Sequence, residues 1–286
     1  EETLLLQPNQ LRQRLEALDL LDAHFPDASF PDTPQAISST ESNASGLHRR
    51  ARAICARLEA VNCELYAAIR SEIQRGGPPH TLLRWPSSSA DMEDVAGPAN
   101  GMGYDYLDEL ISGVLQFEEP HTGPVQRESE MVLYQPTPAR HIFNLIGLAA
   151  LTASDVFVDL GSGLGHVPLL VSICTCARSI GIELEATYVE RARQCAQRLN
   201  LNKVALIQQD ARAADLSAGT VFYLYTPFTG SILSGVLNRL RREAATRSIR
   251  ICTYGPCTSV IAEESWLETT AAPVAHRVAL FRSFRP

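Results

Sequence analysis

The rhythm of apolar positions changes partway along the chain. Leu11, Leu15, Leu18 and Leu21 recur at helical spacing, and the prolines of the next stretch, Pro26 and Pro31, break the pattern. Residues as far as Ser45 are rich in Ser, Pro, Asp and Thr and read as a loop. A long helix is expected over 47–74, with Ile54, Leu58, Val61, Leu65, Ala68 and Ile69 on one face, ended by Gly76-Gly77-Pro78-Pro79. A second loop is expected over 87–103. Helical spacing returns over 104–117 through Leu107, Leu110, Ile111, Val114 and Leu115.

From about residue 139 the pattern becomes alternating strands and helices. Helices are expected over 140–148, 168–176, 188–199 and 231–242. Strands are expected over 156–159, 179–183, 204–208, 221–225 and 249–254, with 266–269 and 277–284 as a closing pair. Such alternation predicts an α/β fold with a parallel sheet covered on both faces. The closing pair, joined without a helix, would put an antiparallel strand at one edge. Two regions are expected: a helical N-terminal one (1–125), serving as lid or for substrate or partner recognition, and an α/β core (126–286). There is no internal repeat.

Composition narrows the classes. The 286 residues are 45% hydrophobic with a net charge of −7, and no apolar run nears the ~20 residues of a membrane span. Residues 1–6 lack the basic stretch of a secretory signal, so a cytoplasmic protein without a membrane partner is expected. Lys203 is the only lysine and no basic run appears, which disfavours nucleic acid as a partner. The seven cysteines form no C-x-x-C pair, so neither a zinc site nor a disulfide framework is expected.

The chemistry concentrates in Val156-Phe157-Val158-Asp159-Leu160-Gly161-Ser162-Gly163-Leu164-Gly165-His166. A β-branched run ends in an acid and a glycine-rich turn opens a helix, as in sheets that bind nucleotide-like ligands. A dinucleotide fingerprint, G-x-G-x-x-G, would need glycine where His166 stands. The D-L-G-x-G-x-G present instead resembles the motif of class I S-adenosylmethionine (SAM) methyltransferases. For SAM, Gly161, Gly163 and Gly165 would offer backbone donors to the methionine carboxylate. Asp159 would receive the ammonium, or else cap the turn. Glu183, ending the second strand, would accept from the ribose diol. Asp210 and Ala211 would face the adenine, with Asp210 alternatively a helix N-cap, and Leu184 would supply an apolar wall. Tyr225, at the end of the fourth strand, would face the sulfonium and orient the acceptor, or simply pack with Tyr223. His166 would act as general base or touch the methionine end, or have no chemistry. Thr137 would meet the methionine end, or else N-cap a helix with Pro138 as its first residue.

On Tyr134-Gln135-Pro136-Thr137-Pro138, the glycine motif and Gly181-Ile182-Glu183, the chain is similar to the disruptor-of-telomeric-silencing histone-lysine methyltransferases and their bacterial relatives, over about 130–255. The resemblance implies a Rossmann-like, seven-stranded class I methyltransferase sheet, SAM as cofactor and Tyr134 in a loop over it. That family has glutamine at His166 and an asparagine pair at Leu224-Tyr225, both where the acceptor approaches. The acceptor, an amine of a protein lysine or small molecule, therefore stays open. A SAM-binding regulator without catalysis is the alternative, and a nicotinamide oxidoreductase a third. No clustered acidic metal signature is present.

Overall fold

The computed structural model describes residues 2–26, 39–86, 103–117, 129–269 and 271–284. The loop expected as far as Ser45 lies outside the described residues up to 38, and over 39–45 the chain is helical instead, the long helix starting at Ser39. Most of the loop expected over 87–103 also lies outside the described residues. The chain divides into two compact units, Glu1–Ile69 and Arg70–Pro286.

The first unit is helical: α1 (Glu2–Leu5), α2 (Leu11–His24) and most of α3 (Ser39–Gln74). The buried stripe of α3 runs through Ala51, Cys55, Leu58, Asn62, Leu65 and Ile69, rotated from the face expected from apolar spacing. Asn62 is in the stripe because Arg14, fully buried, donates from Nε to its Oδ1 at 2.6 Å and from Nη1 to the Leu5 carbonyl at 2.8 Å. A buried guanidinium must have its donors met, and a polar residue does this where an apolar one could not.

The second unit continues through α4 (His80–Leu83), α5 (Tyr106–Leu115) and α6 (Ala139–Ala149). Then follow β1 (Val156–Leu160), α7 (His166–Cys174), β2 (Arg178–Glu183), α8 (Ala186–Arg198), β3 (Val204–Gln208) and β4 (Val221–Tyr225). It closes with α9 (Gly230–Ala244), β5 (Arg250–Tyr254), α10 (Cys257–Ala262), β6 (Leu267–Glu268) and β7 (Ala279–Ser283). The sheet order is β3-β2-β1-β4-β5-β7-β6, with β1 to β5 parallel. The antiparallel strand β7 lies between β5 and β6 instead of at the edge. Its burial pattern of alternating buried residues fits that place, while two-residue β6 ends the sheet with little unpaired backbone. Helix α10 is an addition: its six residues are too few to show a period.

β1 and β4 are the innermost parallel strands, and every residue of β1 is buried. At their amino ends Asp155 takes hydrogen bonds from the Thr152 N–H, the Thr220 hydroxyl and Arg250 Nη2. Burial alone would raise its pKa, but these donors bring it down to about 2. Helix α5 docks beside this sheet through its carboxyl end, where the Leu115 carbonyl accepts from Cys195 Sγ and the Gln116 carbonyl from Arg198 Nη2. Among the described residues all seven cysteines are free, five of them buried.

Candidate active site

The order reverses at β1, with β2 and β3 on one side and β4 on the other, so a crevice opens above the carboxyl ends of β1 and β4. There Gly161, Gly163 and Gly165 take φ of 88°, 54° and 81°, which residues with a Cβ enter only at a cost. Two of them also permit close approach. A Cβ on Gly161 would overlap Pro227, and one on Gly163 would overlap the ring of Tyr134. The turn is lashed to β2. Gly161 and Ser162 donate to the Ile182 carbonyl at 2.8 and 3.0 Å, Gly163 to Glu183 Oε2 at 2.8 Å, and Gly165 to the Ser162 carbonyl at 2.8 Å. These N–H groups, expected to face a ligand carboxylate, thus have acceptors inside the chain. Gly163 and Gly165 stand behind the cavity wall and only Gly161 lines it.

The cavity has a volume of about 460 Å³. Tyr134, Thr137, Asp159, Glu183, Leu184 and Tyr225 line it, as do His166, Asp210 and Ala211. No Lys or Arg does so among the described residues. Asp159 is 3% exposed, and burial followed by the charge of Glu183 raises its pKa well above the usual carboxylate range. Glu183 accepts the Glu185 N–H on its other oxygen at 2.9 Å. Four acidic residues line this cavity, Asp159, Glu183, Glu185 and Asp210. Asp210 meets Arg212, while Asp159 and Glu183 face the cavity with no lysine or arginine in the lining to balance them, an arrangement that favours a cationic ligand. SAM, carrying an ammonium and a sulfonium, fits that demand.

Residues 130–137 form a strap over the cavity. Met131 and Phe228 make an antiparallel bridge, and Val132 donates to the Pro227 carbonyl at 3.2 Å. Glu130 accepts from the Ser231 hydroxyl at 2.7 Å and the Ile232 N–H at 3.0 Å. It thereby caps α9, which has no acid in its own first turn. Sequence reading missed Glu130, since a cap supplied from a hundred residues away leaves no local signature. Farther along the strap, Tyr134 Oη lies 3.1 Å from His166 Nδ1, and the Tyr134 ring lies 5.0 Å from that of Tyr188. The His166 ring is 4.6 Å from Phe117, and burial lowers its pKa to about 4, so the imidazole is neutral at pH 7.

Two side chains turn elsewhere than capping patterns suggest. Thr137 does not cap α6; Pro138 is at that position, and the Ala139 N–H goes to Asp108 Oδ1 at 2.8 Å. The Thr137 hydroxyl lies 3.2 Å from that of Tyr223 instead. Asp210 begins no helix. Its carboxylate meets Arg212 Nη2 at 2.6 Å, and this partner, outweighing burial, lowers its pKa. At the far wall the Tyr225 ring lies 4.8 Å from Tyr254, itself 4.3 Å from His141. Thr226 holds a φ of 39°, rare for a β-branched residue, where its hydroxyl donates to the Tyr254 carbonyl. Tyr188, Tyr223, Pro227 and Phe228 also line the cavity, and none had been singled out for it.

Residues 129–217 match the model of a family described as histone methylation protein DOT1. No curated protein matches the chain. Among solved structures, an RNA methyltransferase from Salinibacter ruber, in complex with S-adenosyl-L-homocysteine, is 24% identical over 53% of this chain and 94% of that one (TM-score 0.43). The tRNA (uracil-54, C5)-methyltransferase of Pyrococcus abyssi is 16% identical over 52% and 39% (TM-score 0.40). TrmN from Thermus thermophilus is 18% identical over 50% and 48% (TM-score 0.40). The sheet order, the glycine turn and the family match define a class I SAM-dependent methyltransferase. Within that class the chain is related to the DOT1 family.

Proposed function

We propose that the enzyme methylates an amine, of a protein lysine or a small molecule, in preference to nucleic acid. The observation that carries this is the cavity lining: carboxylates, aromatic rings and a neutral imidazole, with no Lys or Arg among the described residues. Such a wall suits cations and offers a phosphate no cationic side chain. Glu183 would accept from the ribose diol, Asp159 from the ammonium, and Asp210 from the adenine amine beside Ala211 and Leu184. Tyr134 and Thr137 would close over the methionine end, above Gly161, Gly163 and Gly165.

Bound SAM supplies the methyl electrophile. An amine must reach it without its proton, and His166, held neutral by burial, would accept a hydrogen bond from the amine N–H and so orient the nitrogen lone pair. In the tautomer that donates Nδ1–H to Tyr134 Oη, Nε2 of the imidazole is the accepting atom. Tyr225, backed by Tyr254, presents its ring to the incoming nitrogen. Residues 1–125 would recognise the acceptor, and 126–286 would form the core. The test is transfer of labelled methyl from SAM to lysine-containing peptides, small amines and RNA, run in parallel. Label on amines supports the reading. Label on RNA alone refutes the acceptor class, and SAM binding without product on any acceptor favours the non-catalytic alternative.

A further inference from the structure

The sequence offers Tyr223 only as a packing partner for Tyr225, and its place in the sheet points to more. It pairs in parallel register with Asp159, so the two side chains leave the sheet on the same face. Its ring stacks at 6.3 Å on Phe157, a contact phenylalanine would make equally well. Yet the ring is 1% exposed and carries a hydroxyl, which is costly to bury without a partner. The partner is the Thr137 hydroxyl at 3.2 Å, and both residues line the cavity. Two hydroxyls hold two protons and four lone pairs. The bond between them uses one of each, leaving a donor and acceptor lone pairs beside Asp159. Burial holds the phenol protonated, so it stays a neutral group able both to donate and to accept.

We propose that Tyr223 completes the subsite for the cofactor's amino-acid tail beside Asp159 and Thr137, its Oη accepting from the ammonium. Tyr223 is thereby a binding residue that sets the depth of the tail, and a polar one where strand packing alone asks for an apolar ring. This rests on SAM as the cofactor. It separates two parts of the ligand: the nucleoside, held from β2, and the tail, held between β1, β4 and the strap.

The test is calorimetric titration of wild type and Tyr223→Phe with S-adenosylhomocysteine, which has the tail, and with methylthioadenosine, which lacks it. The variant should bind the first about tenfold more weakly and the second unchanged. Thr137→Val should show the same selectivity, since it removes the other half of the pair. Unchanged affinity for S-adenosylhomocysteine overturns the proposal. An equal loss for both ligands also overturns it, because it marks a packing role. Wild type that binds neither ligand overturns the cofactor assignment itself, a different result from a variant that loses no selectivity.

Discussion

Replacing Gly163 with alanine should cost more than backbone strain, and the excess should vanish when Tyr134 is removed. Gly163 sits at a φ of 54°, where an alanine costs about 1–2 kcal/mol. Its new Cβ would also fall within the ring of Tyr134, which must then leave the turn and release its 3.1 Å contact with His166. Losing that hydrogen bond adds about 1 kcal/mol. The total, about 2–3 kcal/mol, corresponds to a fall in Tm of roughly 5–10 °C for a unit of this size. In a Tyr134→Ala background only the strain remains, so Gly163→Ala should cost about 1–2 kcal/mol there. Thermal denaturation of the four proteins gives the coupling directly. Additivity within about 0.5 kcal/mol would refute the claim that glycine is present to seat the tyrosine.

Three further outcomes follow from the site. Glu183→Gln leaves one side-chain oxygen where two accept backbone N–H groups, and should weaken S-adenosylhomocysteine binding by about 1.5–3 kcal/mol; unchanged affinity removes Glu183 from the ribose. Asp159 has a raised pKa in the fold, so its contribution to stability is present at low pH and lost as pH rises through that value. Asp159→Asn should therefore gain Tm over the ligand-free wild type increasingly toward alkaline pH, while losing affinity for S-adenosylhomocysteine; a pH-independent difference would refute the burial argument. The imidazole of His166 should titrate by NMR near pH 4, so it adds no acid limb to kcat/KM between pH 6 and 8. A midpoint of 6 or above would show a hydrated ring and refute its burial.

What could be read from the sequence was whatever depends on near neighbours. The strands from β1 to β5 announce themselves by apolar runs, and the glycine turn by the positive φ that only glycine takes cheaply. Asp159, Glu183 and Tyr225 follow as strand-end residues, because the ends of parallel strands converge on one crevice. What stayed illegible depends on contacts across long separations. Glu130 caps a helix that begins a hundred residues later, and Thr137 gives up a local cap for the hydroxyl of Tyr223. Asn62 breaks the apolar stripe of α3 because Arg14 needs an acceptor there. In each case a polar group in an apparently wrong place is satisfied by a distant partner.

Contacts between distant residues also set the electrostatics of the site. Asp159 alone would read as a turn cap, and Glu183 alone as a surface acid. Behind a wall without lysine or arginine, burial and then the neighbouring Glu183 raise the cost of charging Asp159. A protein keeps such a pair only where something relieves it, and a cationic cofactor does so at the moment of binding. The cost of ionising Asp159 in the empty site and the affinity for ligand are therefore two sides of one arrangement. Neutralising Asp159 should move them in opposite directions, which a loss of packing at the same residue could not do.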